Sequence, residues 1–254
     1  MEIIETLKER NATLFWFGVI NLFVAAILTV ISFIYPIEYA ETNAWHKPVK
    51  FTLSTAILVL SVGWYSGYLP PQSGITTVNV ILMVTLAFEV IYITWQAGKG
   101  QASHYNETTP FYAFMFSIMA SAASIATLAV GYLGIRFFTN SISQLPPYYL
   151  LAIQFGFALF IISSFQGFVM GSKLAHTVGA KDGSSGLPFL NWSLNYGDLR
   201  IAHFMGMHAL QVLPLLAWYL LKNTKITFVA CVLYAILVFY TLIHALRGNS
   251  LFKI

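Results

Sequence analysis

The chain has 254 residues, of which 58% are hydrophobic and 9% charged, with 13 Lys and Arg against 9 Asp and Glu. Soluble domains carry about 25% charged residues, so a water-solvated exterior is excluded and an apolar exterior solvated by lipid is implied. The basic residues are scattered between apolar runs, which excludes a nucleic-acid patch, and the single cysteine, Cys231, excludes an intrachain disulfide or a thiolate cluster.

In chain order, MEIIETLKERN mixes acids and bases. The apolar run behind it is too long for a signal-peptide core and lacks a clear cleavage site, so it reads as a retained first span. Seven runs are long enough to cross a bilayer: 13–35, 51–69, 76–97, 111–138, 148–171, 199–221 and 226–246. Pro36, Pro70, Pro71, Pro110, Pro146 and Pro147 punctuate their ends, where a residue without a backbone donor belongs. Pro214 falls inside the sixth run and predicts a helix irregularity there. The expectation is an all-α, polytopic integral membrane bundle of about seven transmembrane helices. It forms a single transmembrane domain over 1–254, in the cell membrane, with the lipid bilayer as its partner. No internal repeat is visible.

The connections after spans two, four and six are short. The longest, 172–198, carries the turn signals Asp182-Gly183 and Gly186-Leu187-Pro188 and reads as an ordered lid. Gly167 and Gly171 form a GxxxG spacing, and Ser117, Ala120, Ser121 and Ser124 put small residues along span four. Both read as helix-packing surfaces. About eight Lys and Arg fall with the odd connections and about five with the N-terminus and even connections, which directs the odd connections to the cytoplasm.

Seven crossings bring all six histidines to one side. His46 lies in loop one, His104 in loop three and His176 in loop five; His203 and His208 begin span six, and His244 ends span seven. Their neighbours are rich in ion-binding groups: Trp45-His46-Lys47-Pro48-Val49-Lys50, then Gln96 through Asn106, then Asp198-Leu199-Arg200.

Glu89 is the sharpest single residue, because an ionisable group deep in a span costs several kcal/mol unless paired or hydrated. Thr85, Glu89, Tyr92 and Gln96 recur at helical spacing and form one stripe from the membrane interior to loop three. Span five adds Ser163, Gln166, Met170 and Lys173; span two adds Lys50, Ser54 and Ser61. His203 and His208 are five residues apart, ~140° round a helix, so they do not converge on one metal without distortion. Asp198 is placed to cap span six.

These residues suit several chemistries. A haem or transition-metal (Zn or Fe) redox site takes His104, His203 and His208 as ligands, with an anionic cofactor or lipid head group held by His46, Lys47, Gln96, Asn106 and Arg200. A metal-dependent hydrolase acting on lipid takes the same three histidines, with Glu89, His104 or Asp198 in catalysis. A proton-coupled transporter uses Glu89 and the histidines as a relay, and a scaffold uses the polar stripes only to bind helices. Seven-span zinc hydrolases of the ceramidase type look similar in span number alone, since their paired-histidine spacing is absent. Retinal proteins need a lysine in the seventh span, and none is present there.

Overall fold

The computed structural model describes residues 2–40, 42–71, 74–183 and 186–252. It is an all-α bundle of eight helices with two very small hairpins among the described residues. Seven helices are long and apolar enough to cross a membrane: Ala12–Ile34 (α2), His46–Ser66 (α3), Ile75–Gly98 (α4), Pro110–Thr139 (α5), Pro147–Lys173 (α6), Leu199–Leu221 (α7 with its terminal turn) and Thr224–Leu246 (α8). Their outer faces carry exposed Phe33, Ile91, Phe114, Leu128, Leu220 and Leu233, surfaces that lipid solvates and water does not. The chain is a multi-pass membrane protein. It divides into two compact units, Met1–Leu133 and Gly134–Ile254.

In the first unit a short helix, Glu2–Arg10 (α1), precedes α2 and is absent from the apolar pattern because it is polar. Asn11 ends α1 and caps α2, its side chain accepting from the Leu14 N–H. The same amide is buried and exchanges two 3.0 Å hydrogen bonds with Asn79 of α4, while also donating to Ser66 of α3. Three helices are thus tied at one end by groups that lipid could not satisfy. At the other end a hairpin of Glu38–Tyr39 (β1) and Thr42–Asn43 (β2) leads into α3. Trp45 donates to the Tyr35 carbonyl and packs with Leu28, Val49 and Ala97.

Helix α3 begins five residues before the apolar run that marks it, at His46, and takes in Lys47 and Lys50. Pro48 is tolerated because the first turn of a helix has no intrahelical use for its N–H. The expected polar face of α3 is not the observed one. Ser54 is exposed and Ser61 donates to the Ile57 carbonyl of its own helix, whereas Thr52, Thr55 and Ser66 are the buried polar residues. On α5, Ser117 and Ser121 face outward and bond their own helix, and Met119, Ala122, Ala126 and Ala129 form the buried side.

In the second unit α6 and α7 pack closely through small residues. A Cβ added at Gly156 would meet the α7 backbone at 3.0 Å, and one at Gly206 would overlap Ser163. Ala152, Ala209, Leu213 and Cys231 close this core. The GxxxG pair is split in its role: Gly167 touches His203, but nothing lies within 4 Å of a Cβ at Gly171. Pro214 is followed by a π-helical turn, Ala217–Leu221, the irregularity expected where a proline interrupts the ladder. The long connection is ordered by a hairpin of Thr177–Val178 (β3) and Gly197–Asp198 (β4) and by an inner bridge between Gly186 and Ser193.

Candidate functional site

The first unit gathers polar groups where α4 meets loop three. Glu89, Tyr92 and Gln96 lie on one face of α4 and are buried at 4%, 3% and 0% exposure. Thr85 leaves this stripe, since its hydroxyl donates to the Ile81 carbonyl of its own helix. Glu89 is nine residues before the end of α4, roughly 14 Å along the helix axis. Its carboxyl makes no hydrogen bond or ion pair among the described residues, as neither contact is found for it. Gln96 donates to the Tyr92 hydroxyl at 3.1 Å and to the Ala102 carbonyl at 3.0 Å, leaving its own buried amide oxygen without a partner. The phenol, already accepting, keeps its own proton to give.

Loop three folds over this stripe. Asn106 donates to the same Ala102 carbonyl and accepts from the Thr108 N–H and hydroxyl. A cavity of about 240 Å³ opens here, lined by Tyr39, Gly100, Gln101, Ala102, Tyr105 and Asn106. Several waters fit such a volume, each occupying about 30 Å³. His104 Nδ1 is contacted by Lys47 Nζ at 3.2 Å and by Ser103 Oγ at 3.1 Å. An ammonium only donates, so Nδ1 holds a lone pair and the ring proton is on Nε2. Burial and the Lys47 charge hold the imidazole well below its usual range. Lys99 instead lies 3.7 Å over the Trp95 ring. His46 opens α3 at this end, half-buried.

In the second unit Asp198 and Arg200 are committed to each other. Asp198 caps α7 by accepting from the Arg200 N–H, takes the guanidinium on both oxygens at 2.9 and 2.6 Å, and accepts from the Ser193 N–H. Arg200 also donates to the Asn191 carbonyl. Burial acts upward on the Asp198 carboxyl, but the Arg200 contacts, the Ser193 N–H and nearby His176 outweigh it and hold it below the usual carboxylate range. His176 pairs with Asp182 at 3.1 Å at the mouth of this loop, and His244 contacts the Ser250 carbonyl.

His203 and His208 diverge, as their spacing requires. His203 Nδ1 lies 2.6 Å from the Ser163 carbonyl on α6, while His208 Nδ1 lies 3.2 Å from Gln211 on its own helix. Among the described residues, no group of three or more His, Cys, Asp and Glu side chains that could hold a metal ion is found. Sequence reasoning reached Gln166 as a spacing match, but not that its whole amide is buried without a partner. It missed Ser103 beside His104 and the Asn11–Asn79 pair, for which the only signal was an asparagine inside an apolar run. The chain matches no protein-family model, no curated protein and no solved structure.

Proposed function

We propose that this membrane protein moves protons between its loop-three end and Glu89, and so belongs to the proton-coupled class of membrane proteins. The observation that carries the reading is Glu89 itself: an acid 4% exposed, well inside a span, with no partner among the described residues. Such a group is expensive and is kept where ions or protons pass. Tyr92 and Gln96 extend from it along one helix face to the Ala102 carbonyl. Ala102 is also among the residues that line the loop-three cavity. His104, neutral and held by Lys47 and Ser103, stands over that end as a titratable group.

The alternatives have less to stand on. A metal-dependent hydrolase needs three protein ligands and an open position, and no such group is found among the described residues. The haem reading loses Arg200, spent on Asp198, and His104, whose Nδ1 lone pair is taken by Lys47; it keeps His203 and His208, which diverge on α7.

The test is proton flux into vesicles reconstituted with the purified protein and carrying a pH-sensitive dye, under an imposed potential. Protein-dependent flux that Glu89→Gln abolishes and Glu89→Asp partly retains supports the proposal. Flux no greater than in empty vesicles, or unchanged in a folded Glu89→Gln protein, overturns it.

A further inference from the structure

An open groove of about 400 Å³ runs between the start of α4 and the later half of α5, within the ~300–1,000 Å³ typical of small-molecule sites. Two helical stripes face each other across it: Val78 and Ile81 from α4, and Ile125, Leu128 and Ala129 from α5. Val78 and Ala129 are buried and form its floor, while Ile125 and Leu128 are 48% and 60% exposed and form its lip. Both helices are long and apolar enough to cross the membrane, so the lip opens on lipid rather than on water.

The groove is apolar along its length and polar at one end. Tyr132 closes it there, its hydroxyl 3.2 Å from the Cβ position of Gly74, the residue that precedes α4. The hydroxyls of Tyr132 and Thr77 have no hydrogen-bond partner among the described residues, whereas Thr85 further along α4 turns back on its own helix. Arg136 stands one turn beyond Tyr132 on the same unbroken helix. Counted from Ala129 the step is two turns, which returns to within ~20° of the same direction. The place of Arg136 relative to the groove is thus set by α5 alone. Its guanidinium makes no hydrogen bond, ion pair or ring contact among the described residues, and its Nε is buried without a partner. No acid occurs between Glu41 and Glu89 or between Glu107 and Asp182, so neither the start of α4 nor α5 and the loop behind it supplies a counter-ion. Arg136 lies in the last turn of α5, the depth from which a long basic side chain reaches the head groups. An unpaired cation at the head-group end of a lipid-facing groove selects an anion with an apolar tail. A guanidinium matches phosphate in particular, through paired N–H donors.

We infer that the α4–α5 groove seats one acyl chain of an anionic phospholipid, whose phosphate accepts from the Arg136 guanidinium. The Tyr132 and Thr77 hydroxyls donate to the ester oxygens between chain and phosphate.

The test is a titration of the full chain in a mild non-ionic detergent with dioleoyl phosphatidylglycerol, read by native mass spectrometry. Saturable retention of one lipid is expected. Arg136→Gln weakens it about tenfold or more, the scale of a lost charge-assisted hydrogen bond, and Arg136→Lys weakens it less. Ile125→Trp fills the groove from its exposed lip and also weakens retention about tenfold; Leu128→Trp, on the same lip, serves if that variant does not fold. Thermal unfolding in the same detergent identifies the folded variants. No saturable retention by the unaltered chain overturns the inference, as does unchanged retention in folded Arg136→Gln or in the folded tryptophan variant. Binding of inorganic phosphate alone, with no lipid retained, overturns it in favour of a soluble anion. Retention of oleate in preference to the phospholipid overturns it in favour of a free fatty acid.

Discussion

Lys47 Nζ and His104 Nδ1 stand 3.2 Å apart, joining the first turn of α3 to the loop that follows α4. The contact fixes the His104 tautomer and, with burial, keeps the ring neutral by opposing a second positive charge.

Removing that charge should be visible directly. In Lys47→Met the His104 pKa rises toward 6.5, read from its ring resonances by NMR. A His104 titration identical in the two proteins would show that the ammonium does not act on it. The stability consequence has a definite sign. Because the folded value lies below 6.5, the unfolded chain takes up its proton first as the pH falls. The contribution of His104 is therefore fully present above 6.5 and is lost as the pH drops from 6.5 toward the folded value. Thermal unfolding in detergent should show Tm falling over that window, and less steeply in His104→Gln. Asp198 loses its contribution only below its ordinary 3.8, outside this range.

The Asp198–Arg200 pair is predicted to be structural. Asp198→Asn leaves the guanidinium without its bidentate partner and weakens the α7 cap. The cost is about 2 kcal/mol or more, below the deep-interior figure because Arg200 is partly exposed. Unfolding by denaturant should detect it, and replacing both residues with apolar ones of similar size should cost less than the single change. Equal stability of Asp198→Asn and the unaltered chain would remove the pair as an anchor of the long loop.

Gly206 of α7, packed against α6, and Gly171 of α6, which packs against nothing, should behave oppositely. Gly206→Ala drives a methyl into Ser163, whose Cβ is 2.4 Å from that position, and overpacking of this kind costs ~1–3 kcal/mol. Gly171→Ala enters open space and stays within about 0.5 kcal/mol. Comparable Tm losses in both variants would contradict the close approach of the two helices.

The helices were legible because lipid imposes length and apolarity on every span; 199–221 was read to the residue, and the others to within five. Boundaries slipped where the chain stays helical beyond the apolar stretch, as at His46, since Lys47 and Lys50 end the hydropathy signal without ending the hydrogen-bond ladder. The Glu89–Tyr92–Gln96 stripe and the Asp198 cap follow from helical periodicity and capping chemistry, and both hold. What periodicity could not supply is which polar side chains turn back on their own helix. Thr85, Ser61, Ser117 and Ser121 all do, because a hydroxyl in an apolar setting takes the nearest carbonyl. Nor could spacing reveal the tautomers of His104 and His203, which depend on partners 57 and 40 residues away.

The most direct measurement is the infrared difference spectrum between acidic and alkaline samples of the reconstituted protein, recorded for the unaltered chain and for Glu89→Gln. If protons reach Glu89, the unaltered protein shows a carboxylic C=O band that changes with bulk pH, and the variant lacks it. Identical difference spectra from the two folded proteins would mean that no proton is exchanged at Glu89, and the proposed path would have no terminus.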